Sequence, residues 1–370
     1  MKKVFLVFGT RPEAIKMYPV FKALSKENCI ETKIIITSQH QEMLMQVINL
    51  FDLPVNYNLN VMEDRQTITR ITVKVLEGLK EIFAKDRPDM VIVHGDTTTT
   101  FASSLAAFYE KIPVGHVEAG LRTYDKFSPF PEEMNRKLTD SLSDLYFAPT
   151  KRAKEALLKE GVREQSIFVT GNTVVDALQE ILKRNTSAKL PVEENEKFII
   201  VTAHRRENWG EPMERICKAI DYISKKYKGT LKIIFSVHKN PAVRETVNKI
   251  LGTNPNIKLI EPINYLDFVY LLSKSFFIMT DSGGIQEEAP SLKKPVLLLR
   301  EVTERPEAIE SGAVKVVGTS TENIIKNAEL LIENRNEYEK MITANNPFGD
   351  GTAGERIANI VENFIKTEEK

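Results

Sequence analysis

Four side chains in this sequence have the type and setting to move protons. Asp96 follows the apolar run that ends Val93-His94-Gly95, and Glu118 follows Val114-Gly115-His116-Val117. Glu132 stands beside Glu133 straight after Pro129-Phe130-Pro131, and His204 comes just after Phe198 to Thr202, next to Arg205, Arg206 and Glu207. Carboxylates and imidazole are the usual groups for general acid/base work. Singly, each has an ordinary reading as a helix-capping Asp, a first-turn Glu or a surface His. Their common position, just past a run of strand-forming residues, is what favours a site.

Two turns could grip an anion. Gly9-Thr10-Arg11-Pro12-Glu13, with Lys16 a turn further on, joins a glycine that lets the backbone approach closely to a Thr–Glu capping pair and two cations. A helix N-terminus beside a cation is an anion site. Thr280-Asp281-Ser282-Gly283-Gly284-Ile285-Gln286-Glu287-Glu288 opens a helix on two glycines, so bare N–H groups can cradle phosphate oxygens. Glu287 or Glu288 can then accept from ribose hydroxyls, Arg305 adds charge, and Phe268 is a candidate for the wall of a base pocket.

Two other patterns are set aside. Gly349-Asp350-Gly351-Thr352-Ala353-Gly354 matches the dinucleotide fingerprint in letters only, because it follows Asn345-Asn346-Pro347-Phe348 rather than a strand and leaves too little chain for a βαβ unit. No nicotinamide site is recognisable, and no cofactor is expected. His94 and His116 precede Asp96 and Glu118 by two residues each, without an H-E-x-x-H or Cys–His cluster, so no metal is expected.

Strands must carry these residues. Val4 to Phe8, Lys33 to Thr37, Met90 to His94, Val114 to Val117 and Leu145 to Ala148 read as strands, with amphipathic helical patterns between them. The pattern restarts with Phe198 to Thr202, Ile233 to Val237, Lys258 to Ile260, Phe276 to Met279, Val296 to Leu299 and Val314 to Val317. Strand–helix alternation of this kind gives a doubly wound parallel sheet, here twice, and 370 residues exceed what one core usually organises. The polar stretch from Arg184 to Glu196 has the composition of a connection. In open sheets of this class ligands collect beyond the carboxyl ends of the strands, where Asp96, Glu118, His204 and the Gly9 and Ser282 turns fall.

Composition narrows the partners. Fifty-one Lys plus Arg balance fifty-one Asp plus Glu, which removes any global reason to expect nucleic acid or an anionic membrane. Cys29 and Cys217 make neither a disulfide framework nor a zinc site and suit a reduced, cytoplasmic setting. The run Val4 to Phe8 is too short for a signal-peptide core, and no later apolar run reaches membrane-spanning length.

Read in order, eight blocks resemble the non-hydrolysing UDP-N-acetylglucosamine 2-epimerases. They are Gly9-Thr-Arg-Pro-Glu13, His94-Gly-Asp-Thr97, His116-Val-Glu-Ala-Gly-Leu-Arg122, Pro131-Glu-Glu-Met-Asn-Arg136, Ala203-His-Arg-Arg-Glu-Asn208, His238-Lys-Asn-Pro241, Asp281-Ser-Gly-Gly-Ile-Gln-Glu-Glu288 and Thr303-Glu-Arg-Pro-Glu307. The resemblance implies two Rossmann-like domains in a GT-B arrangement, 1–170 and 171–354, with the active site in the interdomain cleft and a helix at about 355–367 returning to the first domain. It also implies a homodimer and reversible conversion of UDP-GlcNAc to UDP-ManNAc for polysaccharide biosynthesis. The family's acid/base group falls on Asp96, Glu118, Glu132 and His204, and its UDP contacts on Arg11, Ser282, Gly283, Gly284 and Glu288, with Phe268 near the uracil. An allosteric substrate site would use Gln39, Arg65, Gln66, Arg206 and His238, with Glu42 standing where a Gln is expected.

The chemistry so implied has a physical logic. The hydrogen to be moved is not next to a carbonyl, and no nicotinamide is at hand to make one. Departure of UDP from the neighbouring anomeric carbon builds oxocarbenium character, acidifies that hydrogen and leaves a 2-acetamidoglucal; UDP and a proton then return on the other face. This course needs leaving-group stabilisation and proton transfer on both faces of the sugar. The competing expectations are a GT-B glycosyltransferase, which needs an acceptor, a hydrolysing epimerase, which frees ManNAc, and a non-catalytic UDP-sugar sensor, which would be indifferent to the carboxylates.

Overall fold

The computed structural model describes residues 1–38, 41–63, 67–184, 193 and 196–367. Gln39, Arg65 and Gln66 of the expected regulatory set therefore lie outside the described residues. The chain divides into two compact units, Met1–Gln179 with Phe348–Lys370, and Glu180–Pro347. The helix Thr173–Lys183 crosses the first division, which falls nine residues beyond the 170/171 boundary read from sequence.

In the first unit the strands are β1 (Lys2–Phe8), β2 (Ile30–Ile36), β3 (Val55–Asn58), β4 (Met90–His94), β5 (Val114–Val117), β6 (Leu145–Ala148) and β7 (Ile167–Val169). They form one parallel sheet in the order β3-β2-β1-β4-β5-β6-β7. In the second unit β8 (Phe198–Ala203), β9 (Lys232–Val237), β10 (Ile257–Ile260), β11 (Ile278–Thr280), β12 (Val296–Leu298) and β13 (Val314–Val316) form another, in the order β10-β9-β8-β11-β12-β13. Both are doubly wound, as the alternation of runs predicts. Helices cover both faces, so the central strands are apolar almost end to end: Val4 to Phe8, Met90 to Val93 and Phe198 to Val201 are buried without a break.

Two strands escape the sequence reading, β3 and β7, and both are edge strands. The residues of β3 alternate half-buried and exposed, and β7 is three residues long with its last residue exposed. The two asparagines of β3 break any apolar run, and the run of β7, Ile167-Phe168-Val169, is only three residues long. The expected strand from Phe276 begins instead at Ile278; Phe276 stacks on Tyr338, with ring centroids 4.5 Å apart, before the ladder starts.

The last helix, Ala353–Thr367, belongs to the first unit and packs on the helix Arg11–Leu24. The approach is close enough that a Cβ on Gly354 would lie 2.7 Å from the Pro19 carbonyl oxygen. Gly349 and Gly351 have positive φ and lie against Gly171 and Gln179. Packing and backbone conformation thus account for the glycines of the false dinucleotide fingerprint. Asp176, on the helix Thr173–Lys183, accepts from the Gly354 N–H at 2.8 Å and anchors the start of the last helix.

Burial pushes the Asp176 carboxyl up to about 6, against the opposing backbone hydrogen bonds from Gly354 and Ala353. A folded pKa above the unfolded one means that the fold favours the protonated acid; that stabilisation is complete below about pH 4 and is lost as pH rises through about 6. Asp176→Asn should therefore raise the thermal midpoint at about pH 8 and lose this advantage near pH ~4. Melting curves across that range read the effect, and a midpoint lowered equally at every pH contradicts it.

Candidate active site

In each sheet the chain reverses its winding where the first strand of the unit meets the fourth or later one, β1 beside β4 and β8 beside β11. A crevice opens beyond the carboxyl ends of the strands at such a switch point. The expected site residues sit there or one strand away.

In the first unit, Glu13 binds the two loops together. Its buried carboxylate accepts from the N–H groups of Gly9 (3.0 Å) and Thr10 (2.8 Å) and from the hydroxyls of Thr97 (2.8 Å) and Thr100 (3.1 Å). The Thr–Glu capping pair therefore also sews the β1 turn to the β4 turn. Arg11, half-buried at the helix start, makes no ion pair among the described residues. Lys16, read from sequence as a cation for the anion, is ion-paired with Glu118.

Glu118 follows β5 with a φ of 67°, a left-handed conformation unusual outside glycine and a mark of local strain. Its carboxylate also accepts from Asn172 Nδ2 at 2.9 Å, and His94 Nε2 stands 3.6 Å away. The His94 ring is buried, and neither nitrogen has a hydrogen-bond partner among the described residues. Asp96 is ion-paired with Arg136, and its carbonyl accepts from Asn135 Nδ2 at 3.0 Å. Glu132 and Glu133 open the helix Glu132–Leu142 but differ in task. Glu133 is fully buried and accepts from the N–H groups of Thr123 (3.0 Å) and Tyr124 (2.9 Å), whereas Glu132 is partly exposed.

His116 is committed to structure. Its ring reaches Asp140 Oδ1 through Nδ1 and the Gly95 carbonyl through Nε2, each at 2.7 Å, so both nitrogens face oxygen acceptors. Burial works against the Asp140 charge, but His116 and Arg122 hold its carboxyl below the usual range. Among the described residues no group of three or more His, Cys, Asp or Glu side chains is placed to hold a metal.

In the second unit the loops after β8 and β11 meet at Asp281. This fully buried carboxylate accepts through Oδ2 from the N–H groups of His204 and Arg205 and from Asn208 Nδ2, each at 2.9 Å. Ser282 N–H is engaged by the Thr280 hydroxyl at 3.0 Å, and the helix Gly283–Ser291 starts at the next residue. The first N–H groups of a helix have no partner within it. Neither Gly283 nor Gly284 has positive φ, and a Cβ on Gly284 would meet nothing nearer than Ser282 Oγ at 3.9 Å. The fold does not demand glycine at 284.

Charge around that turn is nearly balanced. Arg205 and Arg300 hold Glu304 at 3.1 and 2.8 Å, and Arg305 holds Glu287 at 2.5 Å. Burial pushes the Glu304 carboxyl up, but Arg305, Arg300 and Arg205 outweigh it and bring it down to about 2. The attraction for an anion therefore comes from the oriented N–H groups more than from net charge. Glu288 accepts from the Tyr265 hydroxyl at 3.0 Å, and Phe268 is half-buried on the helix Tyr265–Lys274. Of the described regulatory candidates, Arg206, His238 and Glu42 are exposed, and His238 stacks on His204 with centroids 5.7 Å apart.

Arg136, Asn172 and Glu304 were missed as site residues. Asn172 follows β7, so overlooking that strand hid its end. Arg136 and Glu304 lay inside quoted motifs, but their partners, forty and ninety-nine residues away in the sequence, come only from the fold.

Acid/base side chains at the strand ends of one unit and a helix start open to an anion in the other define the class: an α/β enzyme built of two doubly wound units. The sequence model of the UDP-N-acetylglucosamine 2-epimerase family matches residues 22–362. The chain belongs to that family. It is 50% identical over 371 residues to the UDP-N-acetylglucosamine 2-epimerase of Escherichia coli K12, covering 98% of each protein. The crystal structure of UDP-GlcNAc 2-epimerase from Neisseria meningitidis bound to UDP-GlcNAc matches with a TM-score of 0.89 at 50% identity, over 98% of this chain and 100% of that one. A glycosyltransferase of kitacinnamycin, 12% identical, matches with a TM-score of 0.68 over 98% and 99% of the two chains and shares the fold alone. Among the described residues no helix is long and apolar enough to cross a membrane.

Gly284→Ala separates the two reasons for a glycine. The fold accommodates the methyl group, so stability should hold or rise by about 0.4–1 kcal/mol. Affinity for UDP should fall at least about tenfold, roughly 1.4 kcal/mol. Calorimetric titration beside a thermal melt reads both, and unchanged affinity contradicts a phosphate cradle at this turn.

Proposed function

We propose that this protein interconverts UDP-GlcNAc and UDP-ManNAc by inverting the sugar carbon that bears the acetamido group, through departure and return of UDP. The observation that carries the reading is the combination, in a member of this family, of ion-paired carboxylates at one set of strand ends with an uncrowded helix start at the other. Asp96, Glu118 and Glu132 then supply the two-sided acid/base work, and His204 assists the diphosphate.

The ion pairs suit this use. A cation paired with a carboxylate fixes where its oxygens sit. Lys16 holds Glu118, and Arg136 holds Asp96. Stabilisation of the departing diphosphate falls to the N–H groups of the Ser282-Gly283-Gly284 turn and to Arg11, aided by Arg305. Phe268 is assigned to the uracil and Glu288 to the ribose. No acceptor and no water enter the balance, since the glycal formed by loss of UDP and a proton regains both.

Incubation of the purified protein with UDP-GlcNAc alone in heavy water, followed by proton NMR, tests the reading. The expected product is UDP-ManNAc carrying deuterium at the inverted carbon, and the recovered UDP-GlcNAc should carry it too. Asp96→Asn, Glu118→Gln and Glu132→Gln should each slow that exchange by roughly 100-fold or more. Free ManNAc with UDP would identify a hydrolysing enzyme, a strict need for an acceptor would identify a glycosyltransferase, and near-normal exchange in all three variants would overturn the carboxylate assignment.

A further inference from the structure

We propose that Asp281 is the positioning residue for His204, holding the imidazole with its proton on Nδ1 so that Nε2 is the nitrogen presented to the substrate. The inference rests on the proposed use of His204 and adds the group that fixes its tautomer.

The argument begins with what Asp281 can be. It is fully buried at the end of β11, and three N–H donors converge on Oδ2. A carboxyl oxygen that accepts three N–H bonds belongs to an ionised carboxylate, which has no proton to give. Burial alone would push the Asp281 carboxyl up; His204, Arg205 and Asn208 reverse this and hold it below the usual range. Its other oxygen, Oδ1, is buried and faces His204 Nδ1 at 3.1 Å, at hydrogen-bonding length though off the ideal direction. Catalytic hydrogen bonds are commonly imperfect before substrate binds. Between an acceptor-only oxygen and a ring nitrogen at this distance, the nitrogen must carry the proton, because the other tautomer sets two lone pairs against each other.

The remaining groups around the ring leave that arrangement unopposed. His238 packs against His204 with its ring plane 26° away, and burial, then His204 itself, lowers its basicity. Arg205 is directed at Glu304, and Arg206 is exposed. The His204 main chain is fixed on both sides, its N–H by Asp281 and its carbonyl by the Trp209 indole at 3.3 Å. One buried carboxylate thus orients the imidazole and, through the next residue, opens the Ser282 turn. As a proton donor His204 acts from its imidazolium form: the Nε2 proton passes to the departing diphosphate, the N–H bonding pair stays on Nε2 as a lone pair, and the ring is left neutral with its Nδ1–H directed at Asp281 Oδ1; when UDP returns, its proton goes back to Nε2.

Nitrogen-15 histidine spectra of the full-length protein, at a pH where the ring is neutral, test this directly. The His204 signals are assigned by their loss in His204→Asn. The expected tautomer is Nδ1–H, and an Nε2–H tautomer overturns the proposal. Asp281→Asn should convert the ring to Nε2–H or a mixture and lower kcat on UDP-GlcNAc by about 100-fold while KM stays within about threefold; an unchanged kcat overturns it. If that variant fails to fold, the spectrum of the unaltered protein still decides. An Nδ1–H ring in a protein that does not turn over UDP-GlcNAc supports the pair and refutes the functional reading, whereas turnover with an Nε2–H ring refutes the pair alone.

Discussion

A carboxylate taken out of water has to be given hydrogen bonds or a cation in return, and an isolated one would neutralise itself instead. In both units this requirement governs the strand ends. Glu13, Glu133, Asp140 and Asp281 are all buried, and each is met by several donors. Donors that come from different loops turn the carboxylate into a clamp. Glu13 joins the turns after β1 and β4, and Asp281 joins those after β8 and β11. The loops around each switch point are held by these clamps.

Against that rigid background the carboxylates proposed for chemistry are compensated differently. Asp96 and Glu118 each have one principal cation, and Asp96 keeps 29% of its side-chain surface exposed. Removing the cation from a buried pair is expensive, on the order of 3–5 kcal/mol. Lys16 is tied to Glu118, whereas Arg11 at the start of the same helix makes no ion pair among the described residues. A similar division holds in the second unit, where three arginines are matched by Glu207, Glu287 and Glu304. On the proposed reading, the Ser282 turn of the second unit draws the diphosphate with aligned N–H groups more than with net charge.

The sequence displayed the fold where burial made it loud. Central strands with both faces covered appear as largely apolar runs, and eleven of the thirteen described strands were read from the sequence, the lysine-interrupted edge strands β10 and β13 among them. The edge strands β3 and β7 were silent because their residues are half solvated. At the site, the types and strand-end positions of Asp96, Glu118, Glu132, His204 and the Ser282 turn were legible. Which acidic residue of a neighbouring pair is structural was not: Glu132 and Glu133 differ only in the face of the helix they occupy, and Glu287 and Glu288 in the partner that reaches them. Long-range pairings such as Lys16–Glu118 leave no local pattern in the sequence.

The central claim is that the carbon–oxygen bond to the diphosphate breaks and re-forms during inversion. UDP-GlcNAc carrying heavy oxygen at the bridge between sugar and β-phosphate tests it most directly, by following where that label goes in recovered substrate. Scrambling of the label into the non-bridging β-phosphate positions, at a rate comparable to epimerisation, is the predicted result. Epimerisation with the label fixed in the bridge would show that UDP never leaves and would contradict the account.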